Sequence, residues 1–128
     1  MTIHITVPTH SRPLLVRDTL ECLHSFIRQL SLFHPEDFLT HLRYVVFDTV
    51  QATLSPSKSP YSHLTYRNAC KVIAGLWYYI SRERLMVELQ FAVFDNGRMV
   101  AWGLLELRDE PPALSTPPGV QQVPTAVQ

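Results

Sequence analysis

The chain has 128 residues, enough for one domain with its own hydrophobic core and no need of metal or disulfide support. Eleven Lys and Arg residues balance eleven Asp and Glu residues, whereas proteins that bind nucleic-acid phosphates usually carry a basic excess. No apolar run reaches the roughly 18 residues that cross a bilayer, and no signal-peptide pattern is present. Nucleic acid and membrane are therefore not expected partners, and we expect a cytoplasmic protein.

The first predicted elements are a strand and a helix. Residues 2–7 alternate polar and apolar side chains, the period of a half-buried strand, and Pro8 ends it. Ser11 can cap a helix in which apolar residues recur every three or four positions to about Leu32. Its apolar positions are Val16, Leu20, Leu23, Phe26, Ile27 and Leu30.

A second helix is predicted from residue 35 to about Thr53. Pro35 suits a first helical position, and the two carboxylates that follow it favour a helix N-terminus. The expected apolar stripe is Phe38, Leu42, Val45, Val46, Thr49 and Val50. The connection to the first helix is short, so the two helices should pack antiparallel. Residues 55–62, with two prolines and four serines, then predict a surface loop.

The third predicted helix is the most apolar stretch of the chain. Ser62 or Thr65 can cap it, and residues 72–80 carry no charge. Its expected buried stripe is Ala69, Val72, Ile73, Leu76 and Ile80. Aromatic side chains occupy the flanks at positions 77–79, which a purely structural helix usually keeps polar.

Asn96-Gly97 is the strongest local signal, because this dipeptide favours a two-residue type I′ hairpin turn. Placing Asp95 opposite Arg98 predicts a core face made of Val87, Leu89, Phe91, Val93, Val100, Trp102 and Leu104. The opposite face would be a mixed, shallow apolar patch. It would contain Ala92, Ala101 and Gly103, ringed by Met86, Phe94, Met99, Leu105 and Leu107.

Together these elements predict an α+β domain over residues 1–108. Three helices would pack on one face of a three-stranded antiparallel sheet, in the order β-α-α-α-β-β. Residues 109–128 hold five of the ten prolines and no aromatic residue, so we expect a Pro-rich tail that is extended or disordered when free.

The sequence predicts no catalytic, cofactor-binding or metal site. Cys22 and Cys70 fall in predicted helices and read as packed thiols, with a bridge between the helices as the alternative. The six histidines lack the four-residue spacing and accompanying ligands of a helical metal site. Glu88 and Glu106 are predicted on opposite faces of the sheet, so they would not form an acid–base pair.

Aromatic and basic residues near the third helix, with two apolar hairpin residues, indicate a contact surface for another protein. The candidate partner-binding residues are Tyr66, Arg67, Trp77, Tyr78, Tyr79, Arg82, Phe94 and Met99. The predicted function is a small non-enzymatic protein-binding module: an adaptor, an inhibitor or an immunity-type protein. One concrete version is a phage- or plasmid-encoded inhibitor of a host enzyme or defence system, and a homodimer is a further option.

The alternative prediction is a small-molecule-binding or enzymatic domain. Helices over a curved sheet can enclose a pocket, which would be lined here by Tyr66, Trp77, Phe91 and Trp102. A histidine or Glu88 would then supply the polar group. A third reading, nucleic-acid binding through tyrosine stacking beside arginine, has the neutral charge balance against it.

Overall fold

A computed structural model describes residues 1–58 and 63–108, and these residues form two helices and a five-stranded antiparallel sheet. In chain order the elements are β1 (Thr2–Thr6), α1 (Val16–Leu30), β2 (Arg43–Phe47), β3 (Val50–Pro56), α2 (Tyr66–Glu83), β4 (Leu89–Asp95) and β5 (Arg98–Leu107). The strand order across the sheet is β1-β4-β5-β3-β2. Both helices pack on one face of the sheet around a single core.

The predicted class, α+β, is correct, but three helices on a three-stranded sheet is wrong. The error lies in residues 35–53, which were predicted as a second helix. Residues 35–42 form no helix, and the β2–β3 hairpin occupies residues 43–56. Residues 44–47 are Tyr, Val, Val and Phe, which suit strands because branched and aromatic side chains fit a pleated surface. Asp48 takes a left-handed conformation, with φ of 50°, in the tight turn between the strands.

Helix α1 supports that turn through a buried carboxylate. Asp18, in the first turn of α1, is only 4% exposed. Its Oδ2 atom accepts hydrogen bonds from Thr49 Oγ1 at 2.6 Å and from the Thr49 backbone nitrogen at 3.4 Å. Asp18 therefore joins α1 to the hairpin.

The helix α1 begins at Val16 rather than near Ser11, where the sequence predicted its start, and Val16 itself is exposed.

Asp18→Ala should lower the free energy of unfolding by about 1 kcal/mol, because the turn loses charge-assisted hydrogen bonds. Urea denaturation measures the change. Thr49→Val removes the same hydroxyl bond from the other side, so the double variant should lose less than the sum of the two single losses. Strictly additive losses would show that the two side chains act independently.

The prediction for α2 is confirmed where it rests on local signals. The Thr65 hydroxyl accepts a hydrogen bond from the Asn68 backbone nitrogen at 3.2 Å, as a helix cap does. Every residue of the predicted stripe is buried: Ala69, Val72, Ile73, Leu76 and Ile80. The helix ends at Glu83, and the next residue, Arg84, caps it with a left-handed φ of 56°.

The β4–β5 turn is confirmed, whereas the register beyond it is wrong. Asn96 and Gly97 have φ of 53° and 78°, as a type I′ turn requires. A β-bulge follows between Val93 and Phe94, so that Val93 pairs with Ala101.

A shift of one residue moves every following side chain to the other face of the sheet. Trp102 and Leu104, predicted in the core, consequently face away from the helices. Ala101, Gly103 and Leu105, predicted on the mixed face, turn into the core. The tail predicted over residues 109–128 lies outside the described residues, as does part of the predicted loop.

Candidate functional site

Helix α2 displays the first candidate surface. Trp77, Tyr78 and Tyr79 are 38%, 59% and 42% exposed, because the buried stripe of the helix faces the other way. The guanidinium of Arg82 lies 5.7 Å from the centre of the Tyr78 ring, close enough for a cation–π contact. We call these four residues the aromatic helix surface.

A shallow groove of about 460 Å³ runs beside this surface between the two helices. The residues that line it are Leu20, Glu21, His24 and Ile27 of α1, with Ala74 and Trp77 of α2. Trp77 therefore belongs both to the aromatic helix surface and to the wall of this interhelical groove. Small Ala74 leaves the groove open between larger side chains.

Tyr66 and Arg67, also candidates from the sequence, lie at the start of α2 in structural contacts. Tyr66 is 4% exposed and stacks on Phe33, with ring centres 4.3 Å apart. Its hydroxyl accepts hydrogen bonds from Nε and Nη2 of Arg43 at 3.2 and 3.0 Å. Arg67 forms an ion pair with Glu36. These contacts attach the loop after α1 to the start of α2 and leave Tyr66 little surface for a partner.

Phe94 and Met99 lie on the opposite side of the domain. They belong to the sheet face that no described helix covers, which we call the open sheet face. Its outward positions are Thr2, His4, Thr6, Tyr44, Val46, Gln51, Thr53, Ser55, Gln90, Ala92, Phe94, Met99, Trp102, Leu104 and Glu106. The structure thus separates the sequence candidates into two surfaces on opposite sides.

Trp102 is the largest side chain of the open sheet face, and the sequence prediction placed it in the core and in the lining of the alternative pocket. It is 39% exposed on β5, the central strand. Its cross-strand neighbours are the small residues Ala92 and Ser55. A shallow hollow of about 480 Å³ lies beside it, floored by Ala92 and bounded by His4 and Leu104 among others. The bulge that exposes Trp102 has no recognisable signal in the sequence.

The polar chemistry of the described residues does not converge on a reaction centre. Burial raises the pKa of the Cys22 thiol to about 12, and burial also raises the pKa of Cys70, so neither thiol is activated as a nucleophile. Both cysteines are free. Within residues 1–58 and 63–108, no group of three or more His, Cys, Asp or Glu side chains is placed to hold a metal ion.

The Glu88 side chain is held by structural contacts with Arg12 and Leu107. Its carboxylate pairs with Arg12 Nη2 at 2.9 Å and accepts a hydrogen bond from the Leu107 backbone nitrogen at 2.9 Å. The bonds from Arg12 lower the pKa of Glu88 to about 2, assisted by the Leu107 bond and opposed by burial. A carboxylate held in its ionised form in this way is a poor proton donor or base at neutral pH.

The pocket of the alternative prediction does not assemble from its four proposed residues. Tyr66 and Phe91 are core residues, 4% and 3% exposed. Trp77 lies on the outer side of the helix layer, and Trp102 lies on the open sheet face, so the sheet itself separates the two tryptophans.

No protein-family model matches the chain, and no curated protein or solved structure matches it either. Among the described residues, no helix is long and apolar enough to span a membrane.

Proposed function

We propose that this protein is a cytoplasmic, non-enzymatic protein-binding module, acting as an adaptor or an inhibitor of another protein. The observation that carries the proposal is the aromatic helix surface, where three consecutive aromatic side chains remain 38% to 59% exposed. Tyr and Trp are enriched among the residues that dominate binding energy at protein interfaces, because they bury a large area with few rotatable bonds.

The interhelical groove supports the same reading. A partner can place an apolar side chain between Leu20, Ile27 and Ala74 while it packs against Trp77. An amphipathic helix laid along the groove would use its apolar stripe in this way. The polar groups beside the groove, Glu21 and His24, would then contact the rim of that helix.

The charge of the helix layer indicates the chemistry of this partner. The exposed ionised side chains of the two helices are five basic, Arg17, Arg28, Arg67, Lys71 and Arg82, and two acidic, Glu21 and Glu83. Arg67 and Arg82 form ion pairs with Glu36 and Glu83, so the basic excess comes from Arg17, Arg28 and Lys71. An acidic partner would be attracted to this layer and would associate faster at low salt. The neutral total charge of the chain hides this local excess.

Tyr78→Ala tests the proposal. Tyr78 is 59% exposed, so the free energy of unfolding should change by less than about 0.5 kcal/mol. Affinity for the partner should fall by more than about 1 kcal/mol, roughly fivefold or more. The partner is first recovered with tagged protein from the native cell and identified, and the affinity is then measured by calorimetry with purified components.

Met99→Ala is the matched control, because Met99 is also partly exposed, at 38%, but lies on the opposite side of the domain. It should leave this affinity unchanged. Equal binding by wild type and Tyr78→Ala would contradict the use of the aromatic helix surface. Failure to find any saturable protein partner would contradict the proposed function itself.

A further inference from the structure

We infer that the open sheet face is the interface between two copies of this chain, which pack face to face about a two-fold axis. The inference does not rest on the proposed function, which uses the opposite side of the domain. A knob and a hollow lie side by side on this face: the Trp102 indole and the hollow over Ala92.

The knob and the hollow are self-complementary under a two-fold rotation. Trp102 and Ala92 are cross-strand neighbours, so an axis that passes between them places each indole over the partner's Ala92. The hollow, at about 480 Å³, has room for an indole. Ser55, the other small neighbour of Trp102, leaves the indole unobstructed on the far side. Each copy therefore offers both halves of the same contact.

The distribution of polarity matches a protein interface. The central strand β5 contributes Met99, Trp102 and Leu104 to the middle of the face. The strands on either side of β4 and β5 turn polar side chains outward, Thr2, His4 and Thr6 on β1 and Gln51, Thr53 and Ser55 on β3. The outer strand β2 adds Tyr44 and Val46. An apolar centre with a polar rim is the usual anatomy of a specific interface.

The near absence of charge favours a second copy over a charged partner. The outward positions of the five strands contain no Lys or Arg, and Glu106 is their one carboxylate. A face without a charge cluster does not repel its own copy, and it offers nothing to a strongly acidic or basic ligand. The helix layer, in contrast, has a basic excess that would repel a second copy and attract an acidic ligand.

The size of the face is sufficient for a reversible dimer. Five strands spaced about 4.8 Å apart and about 20 Å long give a footprint of roughly 500 Å² per copy, or roughly 1,000 Å² in total. That area is at the lower limit for a specific interface, about 1,000 Å², so we expect a dimer that dissociates on dilution. Two sheets stacked in this way would lie about 10 Å apart with aligned strands.

Sedimentation equilibrium of the full chain over a wide concentration range tests the dimer. Wild type should shift from monomer to dimer as concentration rises. Trp102→Thr removes the knob but keeps strand propensity, and it should raise the dimer dissociation constant by about tenfold or more. Tyr78→Ala, on the helix layer, is the control and should leave the constant unchanged. Circular dichroism checks that each variant is folded.

A charge exchange tests the two-fold arrangement itself. Gln90 is an exposed outward residue of β4, two positions from Ala92, and Glu or Lys in its place leaves the hollow over Ala92 unfilled. Gln90→Glu and Gln90→Lys should each be monomeric, because two like charges then meet near the axis, whereas an equimolar mixture should form a heterodimer. A wild type that stays monomeric would overturn the inference, as would a dimer indifferent to Trp102→Thr or one broken by Tyr78→Ala. Dimers that form only after deletion of residues 109–128 would also overturn it, since the tail would then be the occupant of the face.

Discussion

Gly103→Ala is expected to lower the free energy of unfolding by about 3 kcal/mol, the upper end of what overpacking a core costs. An added Cβ would lie 2.7 Å from Cε1 of Phe91, and closer still to Cζ of Phe91 and the carbonyl oxygen of Thr53. Gly103 pairs with Phe91 in the sheet and with Leu54 on the other side. The ring of Phe91, 3% exposed, occupies the space that a side chain would need.

The matched control is Gly75→Ala in α2. There the new Cβ would meet only Cδ1 of Ile3, at an ordinary contact distance of 3.7 Å. Alanine is favoured over glycine inside a helix by about 1 kcal/mol, so this variant should be more stable than wild type. Thermal or urea unfolding of both variants checks the pair. A Gly103→Ala protein as stable as wild type would contradict the packing of Phe91 over β5.

Glu88→Gln is the second substitution with a large expected effect, a loss of about 2 kcal/mol, because several hydrogen bonds to a charged group are weakened together. The Glu88 carboxylate accepts bonds from the Arg12 backbone and side chain and from the Leu107 backbone. It thereby joins the segment before α1 to the start of β4 and the end of β5. The side chain of Arg12 is 50% exposed, so solvent weakens the ion-pair part.

The same contacts predict a pH dependence. The pKa of Glu88 in the folded protein is about 2, below its ordinary value of 4.5. The contacts of the folded state therefore stabilise the ionised form of Glu88. Its contribution to the free energy of unfolding is fully present above pH 4.5 and is lost as the pH falls from 4.5 toward 2. Glu88→Gln should have a lower free energy of unfolding than wild type at neutral pH. Between pH 4.5 and 2 its free energy of unfolding should change less with pH than that of wild type.

Glu21→Gln is the control for this measurement, since Glu21 is an exposed carboxylate on α1. Its unfolding free energy should stay within about 0.5 kcal/mol of wild type at neutral pH. Urea titrations at several pH values compare the three proteins. If Glu88→Gln followed the wild-type pH profile, the contacts of Glu88 would not be what lowers its pKa.

Only part of the two candidate surfaces could be predicted from the sequence. Helical spacing placed Trp77, Tyr78 and Tyr79 beside the apolar stripe but left open whether the sheet would bury them, and the structure shows that they are exposed. Tyr66 belongs to the same helix, but Phe33 and Arg43 enclose it, and both come from segments more than twenty residues earlier. Its burial could not be read from helical spacing.

What the sequence determined by itself was local. The cap and buried stripe of α2, the amphipathic character of α1 and the Asn96-Gly97 turn each depend on residues within one or two turns of the chain. Such signals act before any tertiary contact forms, so they can be read directly.

Only the tertiary structure decided the β2–β3 hairpin and the register of β5. Residues 38–50 have apolar spacing that fits a helix, yet β3 pairs along its whole length with β5, whose residues lie about fifty positions later. The bulge beside Val93 likewise forms within a five-stranded sheet, and it alone turns Trp102 to the open face. Pairing between distant strands supplies the free energy in both cases, and no local pattern encodes which distant strand that is.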